Sequence, residues 1–295
     1  MTTIQWPRAT RFTKLVKELN QVLHASFTPM KVRDREVVGV VPAAGRSRRL
    51  GLLPCSKELF PVGTIMDAET CKPRPKVAAE YLLDNLKSAG VTKTYLIIRD
   101  GKWDIPAYFG DGRRIGMDLA YVVISGSSGP PDSVDRAYPF TKEHIVAFGF
   151  PDILLEPPDL FEQLIARLNA GRSDVVLGLF PAAHDCRAMD MIEYDAHGRV
   201  QAVVLKPETT QLQYAWACAV WTPEFSRFLH EFMRSEKNNL DPNLRIDAQG
   251  DVPVGAVFRS AVNSGMLVEC VPFSQGSYID IGTPADLVRA TRSYR

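Results

Sequence analysis

The chain has no long apolar run, no paired cysteines and no surplus of charge, and each absence removes a class of function. No apolar stretch approaches the roughly 20 residues that span a bilayer, and the N-terminus has no secretory h-region. The five cysteines, Cys55, Cys71, Cys186, Cys218 and Cys270, are widely spaced, odd in number and form no C-x-x-C pair. That pattern argues against a disulfide framework or a zinc site and for a reducing compartment. The formal net charge is +1 at pH 7, so no broad attraction to nucleic acid or to an anionic membrane is expected, and phosphate recognition has to be local. Neither the G-K-S/T end of a Walker loop nor a G-x-G-x-x-G fingerprint occurs. The expectation is a cytoplasmic protein that handles small molecules.

What is present is concentrated in Val37–Gly63. An apolar strand-type run, Val37–Val41, turns at Pro42-Ala43-Ala44-Gly45, and Arg46, Arg48 and Arg49 follow, with Lys57 eight residues beyond. A buried strand, a small-residue turn and converging cations make a cradle for phosphates, because backbone N–H groups can approach oxygen atoms and Arg supplies a matching fork. The competing reading is a strand followed by a solvated basic turn.

Periodicity predicts an α/β chain. An amphipathic helix is expected over Arg11–Phe27, and further helices over Lys76–Ala89, Asp159–Ala170 (with Asp159 as N-cap), Pro223–Arg234 (with Thr222 as cap) and Val254–Ser264. Strands are expected at Thr94–Ile98, Leu119–Ile124, Ile145–Phe150, Val175–Leu179, Ala215–Trp221 and Leu267–Pro272. A hairpin is expected around Ala196-His197-Gly198-Arg199, and a surface loop over Ser235–Asp251. Strands alternating with helices imply a Rossmann-like, mainly parallel sheet with helices on both faces. Ligands of such sheets sit at the strand C-terminal ends, where Pro42–Lys57 and Asp152 fall. The domain reading is an N-terminal helical extension over 1–34 and one α/β domain over 35–295.

Phosphate chemistry also calls for carboxylates to hold a divalent metal, and Mg²⁺ is commonly held by one or two carboxylates plus substrate phosphates. Asp152, just after the strand through Val146–Phe150, and Asp280, between Ile279 and Ile281 ahead of Gly282-Thr283-Pro284, are the candidates. The alternative for each is a turn or capping carboxylate.

Several of these segments resemble the sugar-1-phosphate nucleotidyltransferases. Pro42-Ala43-Ala44-Gly45-Arg46-Ser47-Arg48-Arg49-Leu50 and Ser56-Lys57 resemble that family's L-A-A-G-x-G-T/S-R-L and P-K. Phe148–Leu154 occupies the place of G-D-x-L/I-F, and Val204-Leu205-Lys206-Pro207 is similar to x-E-K-P. Ala215–Phe225 resembles the strand x-x-T-G-I-Y-x-F-T-P-E-x-F, and Tyr278–Leu287 the ending W-x-D-I/V-G-T-P-E-D-L. The segments keep family order over about residues 36 to 292. The resemblance implies an enzyme that transfers a nucleotidyl group from an NTP to a sugar 1-phosphate, releasing pyrophosphate, with dTTP the first choice of donor. It implies Arg49 and Lys57 as catalytic cations, and Ala43, Ala44, Gly45, Ser128 and Ser133 at the nucleotide. It further implies Lys206 at the sugar phosphate, with Asp190 beside it, and Asp152 and Asp280 as ligands of Mg²⁺. A homo-oligomer is compatible with it.

The departures gather where substrates are chosen. Ser47 stands for the second glycine and Arg48 for the Thr/Ser, Leu205 for the acidic residue before Lys-Pro, Asp190 for a glycine, and Ala217-Cys218 for Thr-Gly. Ser128 and Ser133 stand for the base-reading Gln and Gly. Asp190 either takes over hydroxyl binding or is a solvated loop residue. Two other functions stay open: a cytidylyltransferase for a phosphorylated alcohol or phosphonate, which fits Leu205, and a non-catalytic subunit that binds a nucleotide-sugar.

Overall fold

Strands interleave with helices along most of the chain. In order they are β1 (Val37–Pro42), β2 (Pro61–Met66), β3 (Pro73–Val77), α1 (Ala78–Ser88), β4 (Lys93–Arg99), α2 (Asp104–Phe109), β5 (Asp118–Ile124), α3 (Pro130–Asp135), α4 (Tyr138–Thr141), β6 (Ile145–Gly149), β7 (Ile153–Glu156), α5 (Leu160–Ala170), β8 (Val175–Pro181), β9 (Met191–Tyr194), β10 (Val200–Val204), β11 (Tyr214–Trp221), α6 (Pro223–Asn238), α7 (Val254–Asn263), β12 (Val268–Pro272), β13 (Ser277–Asp280) and α8 (Pro284–Ser293). This computed structural model describes residues 35–67, 70–182, 186–238 and 251–294. The helix expected over Arg11–Phe27, the 1–34 extension and most of the loop expected over Ser235–Asp251 lie outside them.

Strands β6, β1, β4 and β5 run parallel and side by side. Against β6 lies β11, antiparallel, then β8 antiparallel to β11, and β12 parallel to β8. The β9–β10 hairpin joins β11 where Ala215 faces Met191, completing a nine-stranded sheet. The sheet is therefore mixed, with the reversed β11 at its middle, because β11 follows a hairpin and not the crossover helix that parallel pairing requires.

The period-two alternation of a strand explains the two faces. Val38, Val40, Val146, Phe148, Val175, Leu177, Ala219 and Trp221 point to one side and pack with Phe225, Leu229 and Phe258 of α6 and α7. Val41, Ile145, Ala147, Val176 and Val220 point to the other and pack with Leu82, Leu86, Phe161 and Leu164 of α1 and α5. At Gly178 a Cβ would lie 2.5 Å from Cys218 Sγ. We therefore expect Gly178→Ala to destabilise the protein by about 1–3 kcal/mol through overpacking, read as a lower urea midpoint at unchanged slope.

Two expected caps are corrected. Asp159 makes no side-chain cap on α5, its carboxylate accepting instead from Gln163 Nε2 at 3.0 Å. The Thr222 hydroxyl is buried without a hydrogen-bond partner among the described residues. Helix α6 also runs on to Asn238, past its expected end at Arg234. Sequence reading did not separate β2, β3, β7 or β13. Prolines at 61, 73 and 75 mask the hairpin, and β7 and β13 are each four residues long.

Candidate active site

The turn after β1 follows from its residue types. Ala43 is buried, its N–H donating to the Ile97 carbonyl at 2.8 Å and its own carbonyl accepting from Lys102 Nζ at 2.8 Å. Among the described residues the N–H groups of Ala44 and Gly45 in this turn donate to no backbone carbonyl, and a Cβ on Gly45 would lie 3.9 Å from Lys57 Nζ. Ser47 has φ 51°, the left-handed conformation that glycine adopts without cost. The turn thus keeps a glycine-type backbone where serine replaces the family glycine. Arg46 is exposed, and Arg48 and Arg49 lie in a single helical turn, Arg48–Leu50.

Four of the expected residues come together. Strand β7 pairs antiparallel with β13 so that Asp280 faces Ile153, and the Ile281 N–H donates to the Asp152 carbonyl at 3.0 Å. This small sheet brings Asp152 from the end of β6 next to Asp280. The Lys57 ammonium, from the turn Lys57–Leu59, forms an ion pair with the buried Asp152 carboxylate. Arg49 reaches Asp280 at 3.7 Å, and Asp280 Oδ1 accepts from the Gly282 N–H at 2.7 Å. Gly282 permits the approach, since a Cβ there would sit 2.5 Å from the Arg49 guanidinium. The Thr283 hydroxyl then caps α8 by accepting from the Asp286 N–H at 3.2 Å, with Pro284 at the first helical position.

The electrostatics are those of two carboxylates set close together, each with a cation beside it. Burial opposes ionisation of Asp152, but the Lys57 ammonium outweighs it and holds the carboxyl below its usual range. Burial also works against the Lys57 charge, and Asp152 with Glu58 more than restores it. Asp280 is pushed up to about 6, first by burial and then by the charge of Asp152. A divalent cation between these carboxylates would relieve that repulsion. No group of three or more His, Cys, Asp or Glu suited to a metal occurs among the described residues. The donor set therefore fits an ion completed by substrate phosphates and not one held in a protein cage.

The second group of expected residues surrounds Asp190. Only 8 % exposed, Asp190 is not a solvated loop residue, because α7 covers it: a Cβ on Gly255 would lie 2.2 Å from Asp190 Oδ2 and 2.8 Å from Leu205 Cδ2. Trp216 Nε1–H donates to Oδ2 at 3.4 Å, while Oδ1 has no hydrogen-bond partner among the described residues. Burial raises the Asp190 pKa, opposed by the Lys206 charge and by the Trp216 indole. Lys206 has φ 39° and is half-buried. The Tyr278 hydroxyl donates to Met189 Sδ, which ties β13, the strand of Asp280, to the Asp190 segment.

Of the two serines expected at the base, Ser128 is exposed and its N–H donates to Asp132 Oδ2 at 3.0 Å. Ser133 is buried in α3, its hydroxyl donating to Ser127 Oγ at 2.8 Å. Sequence reasoning missed Ser56, Glu58, Lys102, Asp104 and Trp216. The signal available for Lys102 was its place just past the C-terminal end of β4, the sheet edge that also carries the β1 turn and Asp152.

No family model matches the chain. A glucose-1-phosphate thymidylyltransferase of Streptomyces antibioticus is 23 % identical over 218 residues, covering 72 % of this chain but only 56 % of that protein. A glucose-1-phosphate thymidylyltransferase of Actinoplanes sp. is 25 % identical over 255 residues, covering 85 % of this chain and 76 % of its own. Among solved structures, one from Bacillus anthracis assigned as a glucose-1-phosphate thymidylyltransferase and holding sucrose superposes with TM-score 0.71 at 17 % identity, over 88 % of this chain and 95 % of that one. A UDP-glucose pyrophosphorylase holding UDP-glucose gives TM-score 0.68 at 16 % identity, over 88 % and 98 %. At such identity the structural likeness speaks for the fold alone. Taken with the curated relatives and with the motifs in family order, it makes this chain similar to the sugar-1-phosphate nucleotidyltransferases.

Proposed function

We propose that this protein transfers a nucleotidyl group from an NTP to a sugar 1-phosphate in the presence of Mg²⁺, forming an NDP-sugar and pyrophosphate. The observation that carries the reading is the convergence of Lys57, Arg49, Asp152 and Asp280 beside the Ala44–Gly45 turn. The names of the curated relatives favour dTTP as donor. We take residues 35–295 as the transferase domain. The five unpaired cysteines support a reducing, cytoplasmic setting.

In this reading an oxygen of the sugar phosphate attacks the α-phosphorus in line, and the bond to pyrophosphate breaks on the opposite side. Such transfers depend on positioning and charge neutralisation. Lys57 and Arg49 bind the triphosphate and the negative charge that develops on departing pyrophosphate. The N–H groups of Ala44 and Gly45 orient phosphate oxygens. Asp152 and Asp280 would hold Mg²⁺, which would supply positive charge to neutralise the phosphates. Lys206 holds the acceptor phosphate against repulsion from the nucleotide, and the open oxygen of Asp190 accepts from an acceptor hydroxyl. Phosphorus NMR tests the reaction: the α-phosphorus should move into a diphosphate diester with equimolar pyrophosphate. Accumulation of NMP or NDP instead would make the protein a hydrolase.

Lys206 offers a second test. Lys206→Ala should raise the acceptor KM by about tenfold or more while the NTP KM changes little, since a charge-assisted contact to one substrate is lost. Equal rises in both would contradict its role.

A second reading, a cytidylyl transfer to a non-sugar phosphate or phosphonate, is favoured by one observation. Leu205 stands buried under α7 where the family carries the acid that grips sugar hydroxyls. The third reading, a non-catalytic binder, has less support, because a binder needs no carboxylate pair with a cation set between them.

A further inference from the structure

We propose that the β4–α2 turn is a clamp that positions Lys57, with Lys102 and Asp104 as its two arms. The inference rests on the role given to Lys57 above and names what holds that residue in place. Both sequence neighbours of Lys57 are fastened to the same short segment. On one side, the Ser56 N–H donates to Asp104 Oδ2 at 2.6 Å and the Ser56 hydroxyl to Asp104 Oδ1 at 2.8 Å. On the other, Lys102 Nζ donates to Glu58 Oε1 at 2.6 Å and Oε2 at 2.7 Å. The same ammonium donates to the Ala43 carbonyl at 2.8 Å, so the clamp joins the Lys57 turn to the phosphate turn.

The Lys102 arm and its Glu58 partner are closed to solvent. Lys102 is 4 % exposed and Glu58 1 %, and the ammonium spends its donors on Glu58 and Ala43. A three-residue helical turn, Lys57–Leu59, is too short to fix a side chain by its own hydrogen bonds. Bidentate anchoring at the residues before and after Lys57 leaves that turn little freedom, and misplacing a catalytic group by about 1 Å can cost roughly a hundredfold in rate. Lys102 and Asp104 are thus positioning residues, acting on substrate only through Lys57.

The test is a double-mutant cycle of Asp104→Ala with Lys57→Ala, read as the Kd of inorganic pyrophosphate by calorimetry with Mg²⁺ present, alongside a thermal melt. Asp104 is the arm to cut because it is half-buried and its loss strands no deep charge. Lys57→Ala should weaken pyrophosphate by about tenfold and Asp104→Ala by about fivefold. The double variant should be no weaker than Lys57→Ala alone, since contacts acting through one residue are not additive. Asp104→Asn, which keeps the shape and can still bond Ser56, should bind within about twofold of wild type. If Asp104→Ala does not fold, Ser56→Ala cuts only the hydroxyl arm and carries the same cycle. An unchanged Kd in the arm variant, or losses that simply multiply in the double variant, would overturn the clamp while leaving the role of Lys57 standing. An unchanged Kd in Lys57→Ala would instead overturn that role, and the clamp with it.

Discussion

Asp152→Asn should lower pyrophosphate release by about a thousandfold or more while the protein keeps its fold. The substitution preserves size and removes one charge from a site where charge is the working quantity. Asp152 is 8 % exposed, its carboxylate is paired with Lys57, and its carbonyl already serves β13 through the Ile281 N–H. The backbone contact that joins the two carboxylate strands survives in the variant, so the small β7–β13 sheet has no reason to open. What is lost is half of the anion pair that would hold the metal, and the partner that sets the direction of the Lys57 ammonium. Initial rates of pyrophosphate release, with circular dichroism and a thermal melt on the same preparation, check the prediction. Full activity in folded Asp152→Asn would remove the metal assignment.

Lys102→Met should cost more stability than any surface change. The ammonium sits within hydrogen-bond distance of both oxygens of Glu58, and the pair is buried on both sides. Burial pushes the Glu58 carboxyl up and the Lys102 ammonium down, each held toward its charged form by the other. Removing one partner of a buried pair leaves an uncompensated charge at roughly 3–5 kcal/mol, about 10 °C of melting temperature for a domain of this size. Adding Glu58→Gln should return a large part of that loss, because the stranded carboxylate disappears with its partner. It will not return all of it, since the Ala43 carbonyl still lacks its donor. A melting temperature of Lys102→Met within about 2 °C of wild type would contradict the account of this pair.

The legible parts of the fold are those where one short segment carries the whole signal. The apolar runs of β1, β4 and β6 stand between turn residues, and their C-terminal ends directed attention to the Ala43–Gly45 turn and to Asp152. Asp280 was singled out because an acid between two isoleucines ahead of Gly-Thr-Pro does not look like a surface residue, and its side chain stands half-exposed beside Arg49. The parts that were not legible depend on distant pairing. Glu58 and Lys102 are 44 residues apart and look, in sequence, like two charges on solvated turns. Ser56 and Asp104 are 48 apart and equally silent. Asp190 divided evenly between a binding residue and a solvated one, since only the packing of α7 through Gly255 decides its burial. The prolines that obscured β2 and β3 are tolerated because those strands form a separate two-stranded hairpin away from the main sheet.

The central claim is nucleotidyl transfer, and the most direct measurement is pyrophosphate release with Mg²⁺ across the common NTPs, dTTP first, and a panel of sugar 1-phosphates. The account predicts release that requires both substrates together, is specific for one NTP, and vanishes in Asp152→Asn. Release from an NTP alone, or none from folded protein with any pairing of NTP and phosphorylated acceptor, would contradict it.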